Sequence, residues 1–147
     1  MGTVMTERIP VAPGLFAETP RGARLLGSRC GACGTHFFPR VPRCTNPACR
    51  SDDARDVELG PAGTLYSYTV QHYAPPPPFR YDAPFAPYAI GLVELREGIR
   101  VISMLKLDLA EVRLGMPLEL VIDRMASDEQ GRDVVTWKFA PVTGAPR

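Results

Sequence analysis

The chain has 147 residues, 45% of them apolar, and a formal charge of +1, so it holds one ordinary domain plus a small stapled module. The near-neutral balance excludes a strong global field toward nucleic acid or membrane surfaces. No apolar run approaches the roughly twenty residues that span a bilayer, and no internal repeat is present.

Residues 1–27 form an N-terminal segment. Met1 to Gly14 contains no apolar core of a secretory signal, so the expected location is cytoplasmic. Met1-Gly2-Thr3-Val4-Met5-Thr6 matches the myristoylation pattern, but no basic patch follows closely and the match is read as coincidence. Leu15, Phe16, Leu25 and Leu26 leave room for a short helix, which Pro20 and Gly22 keep from extending.

Residues 28–58 contain the only cysteines of the chain, Cys30, Cys33, Cys44 and Cys49, spaced C-x2-C-x10-C-x4-C. Two thiolate pairs on short knuckles close a tetrahedron around zinc, the pattern of a rubredoxin-like zinc ribbon. Four protein ligands leave no open position for an activated water, which makes the metal structural rather than catalytic. Iron suits the same thiolate set. Two disulfides fit poorly with a chain that has no secretory signal, and unrelated buried thiols would scatter along the sequence. Gly31, Gly34 and Pro47 supply the tight turns that aim backbone N–H groups at sulfur. His36 is an alternative ligand that four cysteines make unnecessary. Metal binding should supply most of this module's folding energy, about 10–16 kcal/mol in isolated zinc-finger peptides.

Residues 59–147 change texture to β-branched and aromatic residues with period-two alternation. Strands are predicted at Thr64 to His72, Tyr88 to Leu95 and Arg100 to Leu105, with a hairpin turn at Arg96-Glu97-Gly98-Ile99. A fourth alternates Leu118, Leu120 and Ile122 with Glu119, Val121 and Asp123. A fifth alternates Val135, Trp137 and Phe139 with Val134, Thr136 and Lys138. A short helical turn from Asp108 to Leu114, ended by Gly115, separates the third strand from the fourth. The fold class is therefore mainly β, a zinc ribbon followed by a five-stranded barrel in OB-fold order. Tyr73 to Pro87 carries six prolines interleaved with Tyr73, Phe79, Tyr81 and Phe85. This stiff loop reads either as a recognition arm or as a flap folded back over its own barrel; an SH3-type ligand is a third option.

Several stretches resemble the family of zinc-ribbon and OB-fold proteins known as DUF35. They are Arg29-Cys30-Gly31-Ala32-Cys33-Gly34, Phe38-Pro39-Arg40 leading to Cys44 and Cys49, Gly63 to Val70, Pro87 to Leu95, and Gly115-Met116-Pro117, all in family order. The resemblance implies an auxiliary subunit of a heteromeric complex with a thiolase-like or related acyl-CoA enzyme chain, sharing a coenzyme A thioester. The family often opens with a regular helix, from which residues 1–27 depart.

Six arginines, Arg21, Arg24, Arg29, Arg40, Arg43 and Arg50, lie between residues 21 and 50 with no Asp or Glu among them. Part of this charge offsets a Zn(Cys)4 centre of formal charge −2. Arg40 and Arg43, set between the knuckles, are the candidates to meet the phosphates of coenzyme A, since guanidinium forks bind phosphate bidentately. No G-x-S-x-G, G-x-G-x-x-G or phosphate loop is present, and no cysteine is left free as a nucleophile. His72 reads as a pairing or packing residue, and Glu94 and Asp123 as strand-edge charges. The expectation is no independent activity and no catalytic residue. An alternative is a single-stranded nucleic-acid module stacking bases on Tyr66, Tyr68 and Tyr88. Its weakness is a chain with two lysines and a net charge of only +1. A further alternative is a partner of an acyl-CoA hydratase.

Overall fold

A computed structural model describes residues 7–77 and 79–142. The myristoylation-like hexapeptide and Pro78 lie outside the described residues. The described residues run through ten strands, β1 (Arg8–Pro10), β2 (Phe16–Thr19), β3 (Gly22–Cys30), β4 (His36–Phe37), β5 (Ala54–Leu59), β6 (Ala62–Gln71), β7 (Tyr88–Leu95), β8 (Arg100–Leu105), β9 (Pro117–Ser127) and β10 (Asp133–Pro141). One 3-10 turn, Leu109–Glu111, separates β8 from β9.

Strands β6, β7 and β8 form an antiparallel meander. β8 then pairs in parallel with β10, β10 pairs antiparallel with β9, and β9 returns to β6 through Ala62↔Glu119. The sheet closes on itself, which removes the open edges a five-stranded sheet would otherwise expose. All five predicted strands are present. The predicted turn after the third is shorter than Asp108 to Leu114, and Gly115 ends the connection at φ 82°. The alternation predicted for the last strand holds only in part. Val134, Val135 and Thr136 are all buried, because the register shifts between Val134 and Val135 and β1 pairs with the same stretch.

The short helix expected before Gly27 is instead a hairpin. β2 and β3 pair from Thr19↔Gly22 to Phe16↔Leu25. The residues that would break a helix build this turn: Gly22 takes φ 99°, and the Thr19 hydroxyl accepts from the Arg21 N–H and donates to the Gly22 carbonyl. β3 continues into the first knuckle and pairs along its length with β5, Leu25↔Leu59 to Cys30↔Ala54. Gly27 is obligatory here, since an added Cβ would lie 2.4 Å from the Phe37 carbonyl oxygen and 2.6 Å from Leu59.

One hydrophobic cluster serves both modules. Leu25 of β3 and Leu59 of β5 are fully buried beside Leu65, Val93, Leu118 and Phe139 of the barrel. Above them the Trp137 ring takes the edge of Phe38 at 5.5 Å and a tilted Phe16 at 6.1 Å, which joins ribbon, N-terminal hairpin and barrel at one indole.

Candidate metal centre and its surroundings

Cys30 ends β3 and Cys33 follows on a tight knuckle. Gly34 takes φ 80° and donates its N–H to the Cys30 carbonyl at 2.9 Å, while the Cys33 N–H points at the Cys30 Sγ at 3.5 Å. The second knuckle is built by Asn46, whose carbonyl accepts from Cys49 and Arg50 and whose side chain accepts from the Ala48 N–H. The Cys44 N–H bonds Ser51, so the loop returns to its own base before entering β5.

These turns converge four sulfurs within 4.8 Å of one another. Cys30 and Cys49 lie 3.8 Å apart and Cys33 and Cys44 3.7 Å apart. A metal–sulfur bond of about 2.3 Å gives a tetrahedron whose edge is about 3.8 Å, whereas a disulfide needs about 2.05 Å. The geometry therefore fits a metal held by all four cysteines, as the spacing predicts. His36 sits on β4, paired with Arg29, and is not part of the sulfur group.

The four thiols differ in their readiness to ionise. Thr35, through its hydroxyl 3.1 Å from sulfur and its backbone N–H, holds Cys33 down to about 6. The Cys33 N–H lowers Cys30. Burial pushes Cys44 up. The Ser51 N–H lowers Cys49, but burial and the three neighbouring sulfurs outweigh it and leave Cys49 at about 11. Four thiolates at these distances need a cation among them, which a divalent metal supplies.

The basic stretch read from the sequence is partly neutralised in space. β5 lies beside β3 and brings acids that are distant in sequence: Asp56 stands 3.5 Å from Arg40 and Glu58 3.8 Å from Arg21. Arg43 is exposed and makes no salt bridge among the described residues. Arg40 and Arg43 thus differ, and neither lines the cleft of about 470 Å³ between the first knuckle (Gly34 to His36) and the β7–β8 turn (Glu94, Glu97 to Arg100). The sequence reading missed Asp56, Glu58 and Thr35; the alternation of β5, hidden by its short length, was the available signal.

Other candidates fall into structural roles. Glu94 pairs with Arg100 at 2.9 Å, and Arg100 also stacks on Tyr66 at 3.6 Å, covering one face of that ring. Asp123 bonds Lys138 at 3.1 Å and Lys106 at 3.4 Å. His72 is exposed just past β6. The proline-rich loop does return to the barrel: Asp82 is paired with Arg124 and accepts the Ser127 N–H at 3.2 Å, and Phe85 sits between Tyr81 and Tyr88. Its outer part stays free, with Tyr73 71% and Phe79 68% exposed.

Family models locate both modules. The one described as ChsH2, rubredoxin-like zinc ribbon domain matches residues 23–54, and the one described as ChsH2, C-terminal OB-fold domain matches residues 56–123. The chain belongs to the DUF35 zinc-ribbon and OB-fold family. A DUF35 domain-containing scaffold protein of Methanocaldococcus jannaschii is 34% identical over 80% of this chain and 82% of that protein. A Thermomonospora curvata protein named "Probable enoyl-CoA hydratase alpha subunit" is 36% identical over 77% of this chain, which spans only 33% of that longer protein. Benzoylsuccinyl-CoA thiolase subunit BbsA of Thauera aromatica is 26% identical over 85% of this chain and 83% of its own length. Among solved structures, the chain resembles one titled Ltp2-ChsH2(DUF35) aldolase with a TM-score of 0.58 and 36% identity, covering 80% of this chain and 84% of that one. No helix among the described residues is long and apolar enough to cross a membrane.

Proposed function

We propose that this DUF35 protein is a non-catalytic subunit of a thiolase-type or aldolase-type acyl-CoA enzyme, supporting thioester binding and carbon–carbon bond cleavage or formation by a partner chain. The observation that carries the reading is the family match across both modules, with relatives named as scaffold and thiolase subunit and a structural neighbour titled as an aldolase. The chemistry of the site supports it: all four sulfurs are positioned to saturate one metal, and a saturated metal stiffens a surface without activating water. Structural zinc is the resident ion of this reading. Arg43, with Arg40 released from Asp56 on docking, is proposed to meet the phosphates of coenzyme A at the assembled interface. The hydratase-named relative favours a hydratase partner as the second reading.

Affinity purification from the native host under mild salt, followed by mass spectrometry, tests the proposal. Stoichiometric recovery of a thiolase-type chain is the expected result, and turnover by that chain should fall when this protein is omitted. Recovery of nucleic acid, or unchanged turnover in its absence, overturns it. Within the complex, Arg43→Ala should raise KM for the thioester several-fold and leave kcat unchanged.

A further inference from the structure

A large cavity lies away from the metal. It is a slot of about 970 Å³ between the proline-rich arm and the outer face of the barrel. Phe79, Tyr81 and Phe85 of the arm form one wall; Ile102 and Met104 of β8 and Trp137 of β10 form the other. Ile102 is 68% exposed on a barrel surface where a polar residue would be the ordinary choice, and it faces an arm whose Phe79 is equally exposed.

Several of the polar groups lining this slot are already engaged. Asp82 is held by Arg124 and the Ser127 N–H. The Ser103 hydroxyl donates to the Met104 carbonyl, the Trp137 Nε1–H to the Ile102 carbonyl, and Arg132 pairs with Asp128 while also bonding Gln130. Among the described residues no buried side-chain nitrogen or oxygen lacks a partner. A ligand entering here finds walls that are mainly apolar. An inserted peptide strand would carry a regular row of backbone N–H and C=O groups that mainly apolar walls match poorly, whereas a hydrocarbon chain carries none. The volume is that of a small-molecule site, and the latch at Asp82 holds the two walls apart before any ligand arrives.

We propose that the slot between the arm and the barrel binds the hydrocarbon portion of an acyl group, with its polar end left at the open rim beside Arg80 and Glu129. That the acyl group arrives as a thioester rests on the function proposed above; a free carboxylate of the same chain presents the same chemistry. Trp137 is the only tryptophan, so its emission reports the slot directly.

The zinc-loaded full chain is titrated with butyryl-, hexanoyl- and octanoyl-CoA, with octanoate, and with coenzyme A alone, following Trp137 emission. Octanoyl-CoA should give a saturable change, and each two-carbon extension should tighten binding about tenfold. Coenzyme A alone should give none. Octanoyl-CoA binding tighter than octanoate identifies the thioester as the source, and equal affinity identifies the free chain; either supports the slot. Ile102→Glu, at an exposed position, should melt like the parent and bind octanoyl-CoA at least tenfold more weakly. Absence of chain-length dependence, or parental affinity in Ile102→Glu, overturns the inference. So does an Ile102→Glu chain that loses a co-purifying protein when the parent binds no acyl-CoA, since the surface would then belong to a protein partner. Failure to capture a thiolase-type chain, with chain-length-dependent binding intact, would overturn the proposed function and leave the slot standing.

Discussion

From Cys30 to Asp53 the only buried residues are Cys30 and Cys44, whereas the barrel buries Leu65, Val93, Leu118 and Phe139 in one cluster. The two regions are stabilised by different physics. A loop of this length cannot remove enough apolar surface from water to order itself, so sulfur and metal replace the core it lacks. The barrel orders itself by burial. Between them, β3 belongs to both, with Leu25 in the apolar cluster and Cys30 in the sulfur group. The physical boundary between the modules therefore crosses a strand rather than lying in a linker.

The largest expected effect comes from removing the metal. Cys33→Ser, or a strong chelator, should release zinc and melt the knuckles, forfeiting metal-linked folding energy of about 10–16 kcal/mol by analogy with zinc-finger peptides. Leu25 and Leu59 should stay packed, so amide protection should vanish from residues 31–53 and persist at the base of β3 and β5. Metal content by atomic absorption and hydrogen exchange by residue check both halves, and a barrel that unfolds with the chelator would erase the contrast. Phe139→Ala reverses the experiment. It should cost about 3–5 kcal/mol and lower Tm by roughly 10 °C or more, with zinc retained until the barrel melts. Calorimetry with a zinc-release dye reads both events together.

Smaller perturbations sharpen the junction. Phe38→Ala removes the edge contact on Trp137, worth about 0.5–1.5 kcal/mol beyond the lost burial, and should shift tryptophan emission to the red while zinc stays bound. The smallest effect is expected at the arm. Arg124 and the Ser127 N–H hold the Asp82 carboxyl below the usual carboxylate range. Because this folded value is depressed, the stabilisation is complete above the unfolded value of about 3.9 and is lost as pH falls through the lower folded value. Exchange of the Ser127 amide should therefore be unaffected by Asp82 titration between pH 5 and 8, after correction for intrinsic exchange, and lose protection only in strong acid.

The metal ligands were legible because cysteine spacing is a local signal and four sulfurs at these intervals have few other uses. The barrel strands were legible by their alternation, and the Gly98 turn by its position between two such runs. The hairpin of β2 and β3 was not. Leu15, Phe16, Leu25 and Leu26 suit a helix or two strands equally, and the turn chemistry of Pro20 and Gly22 decides only once Leu25 has a barrel to enter. The neutralisation of Arg40 was invisible for a different reason: Asp56 is sixteen residues away in sequence and becomes a neighbour only when β5 pairs with β3. The slot beneath the arm depends on where a fifteen-residue connection returns, which composition does not fix.

The pairing of β10 with β1, β8 and β9 also sets a timetable. The roughly ninety residues from Cys49 to Phe139 take about 5–20 s to synthesise, and until they emerge no barrel can close over Leu25 and Leu59. For the part of that interval after Cys49 clears the exit tunnel, the four thiols are outside the ribosome and within reach of one another. Zinc is thus expected to be acquired by a nascent chain, before the fold that will carry it exists. Ribosome-bound chains stalled at residue 100 should already retain the metal, and stalled chains that bind none would place loading after barrel closure.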